Sequence, residues 1–338
     1  MDKKKQMNFN INNFLLATTE ILDTTEIEKN GMKKNHSKRV AYVSIKIGEK
    51  LNLDPKQMFT LCAYSLFHNY ISKENCEILG IYDDMGILSR IVNFSHHIDE
   101  TYFKTKEFIS IAGDNLYLKE IEDIFLEIST PQYFWLDLQN ENSVVQYIYS
   151  ALYDFTSQST FEDVLEITAI FGSLEEDIYP FVELCHSMTI RYQFEHKDKM
   201  TFLIAASMVN FGKLSISKSL INKKEKLTKN QLETIQAYVY NNKLALSAIY
   251  GFDDITKWAT RIQEKLNGSG YPYSLESKEL SLKERLMQCL YIYYSLISKK
   301  SYRDRFSHTE AIEIMREMGE KEEIDNSITN DIDKEFGN

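Results

Sequence analysis

Residues that break helices are scarce along this chain, and this scarcity limits its possible folds more than any other feature. The 338 residues include four prolines and twelve glycines. A many-stranded sheet needs frequent turns, and those turns are usually built from glycine and proline. The composition therefore predicts long helices joined by short turns, which is an all-α fold.

Local patterns support the helical prediction. After His36, apolar residues recur every three or four positions, as on one face of a helix: Val40, Val43, Ile47 and Leu51. Asp54-Pro55 has the form of a helix start, with an N-cap followed by proline at the first helical position. Two capping boxes predict further starts, Thr228 with Gln231 and Ser307 with Glu310.

The length and the distribution of polar residues indicate two domains. A chain of 338 residues is too long for one ordinary core, and its 43% hydrophobic content is enough for two. The polar stretch 137–143 is the best linker candidate. We therefore predict domains at 1–140 and 141–320, followed by a polar, acidic tail at 321–338.

Charge and cysteine content narrow the function classes. A net charge of −11 repels phosphate backbones, so the prediction is no nucleic-acid partner. No apolar run approaches the roughly 20 residues that span a bilayer, so we expect no membrane insertion. The four cysteines form no CxxC pair and are expected in the core, as in a reducing cytoplasm.

Four histidines are concentrated in the first third of the chain: His36, His68, His96 and His97. Their spacing is too long for a zinc finger, but it suits ligands that come from different helices of a bundle. Ordinary surface or core histidines would fit the same spacing. From the spacing alone, both interpretations stay open.

Several motifs resemble the HD phosphohydrolase superfamily. In the first half these are His36-Ser-Lys-Arg-Val-Ala, the run ending His68-Asn69, and His96-His97. In the second half, the segment from Asn210 to Lys213 resembles HDxGKxxIP, and 264–272 resembles the HHExxDGSGYP signature of the HD-GYP subfamily. This resemblance implies two tandem HD-type helical-bundle domains, in a family whose members hydrolyse cyclic di-GMP or related cyclic dinucleotides.

The second half departs from the family pattern at its metal ligands. The HD doublet falls on Val209-Asn210, a later histidine falls near Tyr238, the HH pair falls on Ile262-Gln263, and the last aspartate falls on Tyr291. Hydrolysis by a metal-activated water needs a firmly held cation. Valine and isoleucine have no lone pair to offer, and neutral amides coordinate weakly. We therefore expect neither a metal nor a catalytic residue in the second domain.

The first half keeps part of the ligand set that the resemblance implies. His36, His68, His96 and His97 stand where ligands would, and Asp114 is a candidate for the last aspartate. Asn69 replaces the carboxylate that can bridge two metals in the family. The two alternatives are one divalent Zn, Mn or Fe ion and a metal-free cluster of histidines.

The second half also keeps residues at positions where members of the resembling family contact the substrate phosphates. These residues are Lys213, Tyr271, Arg285, Tyr302 and Arg303. Arginine can grip a phosphate without a metal, so these residues could bind a cyclic dinucleotide such as cyclic di-GMP. Equally, the 267–272 run could persist because its turn needs a positive φ and a fixed proline.

These expectations lead to one function and one alternative. The first is a catalytically inactive, degenerate HD-GYP-type protein that acts by regulation or interaction. The alternative is a metal-dependent phosphohydrolase with residual activity in the first domain. Twenty-one tyrosines and nineteen phenylalanines suggest an aromatic face for a partner protein or a homodimer.

Overall fold

A computed structural model of the chain describes residues 6–30, 34–68, 70, 86–105, 116–151, 158–300 and 303–337. These residues are mostly helical, and the all-α prediction is confirmed. The chain folds as two compact units. The first unit covers Asn10–Ser157, and the second unit covers Gln158–Asn338 together with Met1–Phe9.

The first unit is built from seven described helices. In chain order they are α1 (Ile11–Asn30), α2 (His36–Lys50), α3 (Pro55–Phe67), α4 (Gly86–Thr105), α5 (Leu116–Ser129), α6 (Gln132–Gln139) and α7 (Glu141–Ala151). Helix α2 is central and packs against α3, α4 and α7. Three residues of its predicted apolar stripe, Val40, Val43 and Ile47, are completely buried, whereas the fourth, Leu51, follows the end of the helix and is partly exposed.

The second unit contains one short antiparallel sheet and ten described α-helices. Strands β1 (Gln6–Asn8) and β2 (Gln158–Thr160) pair with Met7 opposite Ser159. The helices are α8 (Phe161–Gly172), α9 (Tyr179–Arg191), α10 (His196–Ser207), α11 (Lys218–Ile221), α12 (Lys229–Gln236), α13 (Tyr238–Ser247), α14 (Asp253–Thr260), α15 (Leu282–Ile297), α16 (His308–Glu320) and α17 (Asn326–Phe336). Two 3₁₀ turns, Phe211–Ser215 and Ser277–Glu279, complete the described elements.

The helix starts predicted from sequence are present. Asp54 caps α3 with proline at the first helical position, and complete capping boxes open α12 at Thr228 and α16 at Ser307. In each box the cap side chain satisfies a backbone N–H that would otherwise lack a partner at the helix end. Local chemistry therefore determines where these helices begin.

The structure departs from the sequence-based expectation at two polar segments. The proposed linker at 137–143 lies in α6 and α7, with Asn140 between them, because Leu138 and Val144 are buried on the inner faces of these helices. The compact units divide after Ser157, whereas the composition placed the boundary at residue 140. The acidic tail includes α17, in which Ile328 and Ile332 are completely buried. Polar residues around the buried positions of these helices masked their apolar stripes in the sequence.

Three of the four cysteines, Cys62, Cys185 and Cys289, are free and buried as predicted, while Cys76 lies outside the described residues. Across the described part of the chain, no helix combines the length and the apolar character needed to cross a bilayer.

Candidate functional site

Three histidines of the first unit meet at one point. His36 is the first residue of α2, His68 follows the last residue of α3, and His96 lies in α4. His36 Nε2 is 3.1 Å from His96 Nδ1, and His68 Nε2 is 3.0 Å from the same atom. Among the described residues, this is the one group of three or more histidine, cysteine or acidic side chains close enough to share a metal ion.

The outer nitrogen of each ring faces an acceptor. His36 Nδ1 is 2.6 Å from Asp99 Oδ2, and His68 Nδ1 is 2.8 Å from the backbone oxygen of Ser65. His96 Nε2 points towards Glu100 at 3.9 Å. A neutral imidazole carries one N–H, and the acceptor beside a ring nitrogen decides which nitrogen carries it. The acceptors beside His36 and His68 therefore favour protons on their outer nitrogens, which leaves the Nε2 lone pairs of both rings directed at His96 Nδ1.

Two of the three histidines, His68 and His96, resist protonation. Burial, the main cause, together with the neighbouring rings of His36 and His96, lowers the pKa of His68 to about 4, although the Ser65 carbonyl opposes the shift. Burial also lowers the pKa of His96. Because His68 and His96 stay neutral near neutral pH, their inner nitrogens can offer lone pairs to a cation bound between the three rings. The arrangement therefore fits one divalent metal of the kind that binds imidazole.

Asp99 is the site residue that the sequence analysis missed. It is 3% exposed and also accepts two hydrogen bonds from Arg39, one from Nε and one of 2.9 Å from Nη2. Burial alone would raise its pKa, but the hydrogen bonds and charges of His36 and Arg39 lower it. Asp99 follows His96 by three residues on α4, a spacing that places both on one helix face and could have revealed it.

Two other predicted residues of this site stand apart from the cluster or cannot be placed. His97 Nε2 is 3.3 Å from the Thr101 hydroxyl, and His97 does not belong to the group of three. Asp114 lies outside the described residues, as does Asn69.

In the second unit, the positions expected to hold metal ligands form a different network. Gln263 Nε2 donates to the Tyr238 hydroxyl at 3.0 Å, and Tyr238 donates to the hydroxyl of Tyr291. Tyr291 in turn donates to Asn210 Oδ1 at 2.7 Å. Asn210, Tyr238 and Tyr291 are each less than 9% exposed. We call these four residues the tyrosine–amide network.

The network offers little to a dication. Burial, the largest cause, raises the pKa of both Tyr238 and Tyr291, so their phenols stay protonated at neutral pH. Val209 and Ile262, the remaining positions of the expected ligand set, are buried hydrocarbon. The side chains satisfy one another by hydrogen bonds, which makes the network a stable polar core without a metal.

Lys213 lies at the edge of this network. Its Nζ is 5.7 Å from the ring centroids of both Tyr238 and Tyr291, a cation–π distance. In the described part of the chain, no carboxylate lies within ion-pair distance of Lys213. Tyr271, also predicted as a ligand residue, is half-buried, and its pKa is raised by burial and by the nearby Tyr238.

The two arginines that were predicted to contact phosphates, Arg285 and Arg303, donate hydrogen bonds to backbone oxygens. Arg285 donates to the backbone oxygens of Leu280 and Ser277. Arg303 donates to the backbone oxygens of Ser295 and Leu296, near the end of α15. Arg285 lies in the first turn of α15 and reaches back to residues that precede the helix, whereas the contacts of Arg303 lie about ten residues farther along α15, roughly 15 Å along the helix axis. They therefore do not converge on one phosphate, and Tyr302 lies outside the described residues.

The glycine-rich run has a structural role. Glu264 is completely buried and accepts hydrogen bonds from the backbone of Tyr273 at 2.8 Å and of Leu275 at 2.9 Å. Gly268 has a φ of 78°, and Gly270 touches the backbone of 264–265 so closely that a side chain would not fit. The structural interpretation of this run thus has direct support.

Comparisons with known proteins place this helical architecture in one class. The HD domain family model matches residues 157–328, about half of the chain, and the chain therefore belongs to the HD domain family. Its relatives and its structural neighbour are phosphodiesterases of cyclic dinucleotides, in agreement with the HD/HD-GYP resemblance of the sequence.

The curated relatives match over part of their length. The chain is 25% identical over 134 residues to 3′3′-cGAMP-specific phosphodiesterase 1 of Vibrio cholerae, covering 40% of this chain and 31% of that protein. It is 32% identical over 119 residues to a probable cyclic di-GMP phosphodiesterase of the same organism. This match covers 33% of this chain and 27% of that protein. The matched stretches thus span about a third or less of the relatives' lengths.

One solved structure is similar over almost the whole chain. The crystal structure of a cyclic GMP-AMP-specific phosphodiesterase of V. cholerae (V-cGAP3) superposes with a TM-score of 0.55 at 14% identity. The superposition covers 98% of each chain. At this identity the likeness concerns the fold.

Proposed function

We propose that this chain is a degenerate HD-GYP-type protein that does not hydrolyse nucleotides in its second unit and acts as a regulatory or interaction protein. The observation that carries the proposal is the tyrosine–amide network. Four hydrogen-bonded side chains occupy positions where the family resemblance expects metal ligands, and their protonated phenols and neutral amides leave a cation without charged partners.

A cyclic dinucleotide is the candidate ligand of the second unit, since relatives are named for activity on such molecules. Lys213 is the residue best suited to contact a phosphate, because its ammonium lies beside the network without a carboxylate neighbour in the described part of the chain. Arg285 and Arg303 are already bonded to backbone oxygens and contribute less.

Hydrolysis assays test the catalytic part of the proposal. The purified full chain is incubated with cyclic di-GMP or 3′3′-cGAMP and with Mn²⁺, Fe²⁺ or Zn²⁺, and the linear product is measured by chromatography. We expect no product above a protein-free control. Hydrolysis that persists in the His68→Ala variant would assign activity to the second unit and refute the proposal.

Calorimetry tests the ligand part. We expect heat of binding with cyclic di-GMP or 3′3′-cGAMP, weakened about tenfold or more by Lys213→Ala, because a charge-assisted contact to phosphate is lost. Lys243→Ala is the matched control, since Lys243 also lies over a tyrosine ring, that of Tyr240, at 5.9 Å. No heat with either nucleotide would leave protein interaction as the function of this unit.

A second candidate function is favoured by the histidine cluster of the first unit. His36, His68 and His96 would hold one divalent metal, which in an HD-type hydrolase supplies an activated water. Hydrolysis that requires added metal and disappears in His68→Ala would support this candidate. Such a result would place residual phosphohydrolase activity in the first unit.

A further inference from the structure

Asp99 is a buried carboxylate that joins His36 to Arg39. One of its oxygens accepts from His36 Nδ1 at 2.6 Å and from Arg39 Nη2 at 2.9 Å, and the other accepts from Arg39 Nε. Both oxygens are thus in use on the outer side of the histidine cluster. Asp99 is therefore placed to act on the cluster through His36, and it does not belong to the group of three that could share a metal.

The carboxylate determines which nitrogen of His36 is available. An acceptor beside Nδ1 keeps the imidazole proton there, so that Nε2 presents a lone pair towards His96. Without the Asp99 acceptor beside Nδ1, the imidazole proton could move to Nε2. It would then occupy the space between the three histidines where a metal ion would bind. Arg39 supports this arrangement, because its guanidinium donates to both oxygens of Asp99 and fixes the orientation of the carboxylate.

We propose that Asp99 is the positioning residue of a one-metal site at His36, His68 and His96, and that it sets the imidazole of His36 for a Zn²⁺- or Co²⁺-type ion. The proposal rests on the metal site suggested above for the first unit. It adds a residue outside the three histidines that determines metal affinity.

Asp99→Asn tests the proposal with little change of shape. The amide oxygen can still accept from Arg39, but the amide nitrogen donates to His36 Nδ1 and moves the imidazole proton to Nε2. The full chain is stripped with a chelator and titrated with Co²⁺, whose visible absorption reports the coordination directly. We expect Co²⁺ affinity to fall by about 10- to 100-fold, the usual cost of losing such a partner.

Asp137→Asn is the matched control. Asp137 is a carboxylate of the same unit, it accepts from the Tyr42 hydroxyl at 3.2 Å, and it is not part of the histidine cluster. Its replacement should leave Co²⁺ affinity unchanged. The melting temperatures of the metal-free proteins are measured alongside. If Asp99 had a merely structural role, Asp99→Asn would melt at a lower temperature, but the folded variant would keep the Co²⁺ affinity and the absorption bands of the wild type.

Each outcome is decisive. If folded Asp99→Asn binds Co²⁺ as tightly as the wild type, the role of Asp99 is refuted but the metal site is not. If the wild type takes up no Co²⁺, both the metal site and the role of Asp99 are refuted. If the variant does not fold, nitrogen NMR of the metal-free wild type decides the matter. His36 should then carry its proton on Nδ1, and a proton on Nε2 would contradict the proposal.

Discussion

The hydroxyl of Tyr291 donates a 2.7 Å hydrogen bond to the side-chain oxygen of Asn210, across 81 residues of sequence. Family resemblance places an aspartate at the first position and part of the HD doublet at the second. The two side chains that would share a metal in an active relative instead bind each other. The two side chains form a neutral, buried pair whose polar groups satisfy each other.

Replacement of Tyr291 by phenylalanine should therefore destabilise the second unit. The change removes two hydrogen bonds, the one that Tyr291 donates to Asn210 and the one that it accepts from Tyr238. It leaves the buried oxygen of Asn210 without its donor, which costs about 1 to 3 kcal/mol. Urea denaturation followed by circular dichroism measures the loss. Tyr240→Phe is the control, because Tyr240 is 45% exposed and its replacement should change stability little. Equal effects of the two changes would argue against a structural role for the network.

Much of the helical framework could be predicted because its signals are local. The caps at Asp54, Thr228 and Ser307 depend on residues within one turn of the helix start, and the structure confirms each of them. The helical structure of 137–143 and 326–336 was not predicted because the buried stripes there are short and surrounded by polar residues.

The candidate sites were less predictable because they depend on packing between distant helices. Spacing suggested His36, His68 and His96, but it could not separate His96 from His97, which point to different neighbours. Asp99 was missed because its importance comes from Arg39 and His36 on another helix. Nothing in the sequence pattern shows that Arg285 and Arg303 bind backbone oxygens.

The close packing of Gly270 predicts a large effect of a single methyl group. A side-chain carbon at this position would lie 2.3 Å from the backbone nitrogen of Lys265, too close for any real contact. Gly270→Ala should lower the stability of the second unit by roughly 3 kcal/mol, as severe overpacking does. Gly268→Ala is the comparison, because its nearest neighbour is 3.4 Å away and only its positive φ, costing about 1 to 2 kcal/mol, opposes the change. Thermal melts that rank the two variants in the opposite order would contradict this account.

Glu141 should give the first unit part of its sensitivity to acid. Burial opposes its charge, but hydrogen bonds from Asn35 and Lys38 and the positive charges of Lys38 and Lys34 together lower its pKa from 4.5 to about 2. A lowered pKa in the folded state means that the unfolded chain binds the proton more readily. This contribution to stability is therefore complete above about pH 4.5 and is lost as the pH falls towards 2.

Melting temperatures between pH 7 and pH 3 measure this contribution. Glu141→Gln should melt lower than the wild type at pH 7, and the difference should shrink as the pH falls below 4.5. Glu127→Gln is the matched control, since it removes an exposed carboxylate of the same unit that pairs with Lys50 at 2.5 Å. A constant difference between wild type and Glu141→Gln at every pH would show that Glu141 acts by packing alone.

The adjacent histidines of α4 provide a sharp test of the metal site. His96 Nδ1 faces His36 and His68, whereas His97 faces Thr101 on its own helix. Loading the chain with Zn²⁺ and then removing free metal should leave about one ion per chain in the wild type and in His97→Ala. His68→Ala should retain far less, because one of three imidazole ligands is gone. Bound Zn²⁺ should also raise the melting temperature, because an ion that binds the folded state stabilises it, and a chelator should reverse this. Equal Zn²⁺ content in His68→Ala and His97→Ala would mean that the histidine cluster is not the metal site.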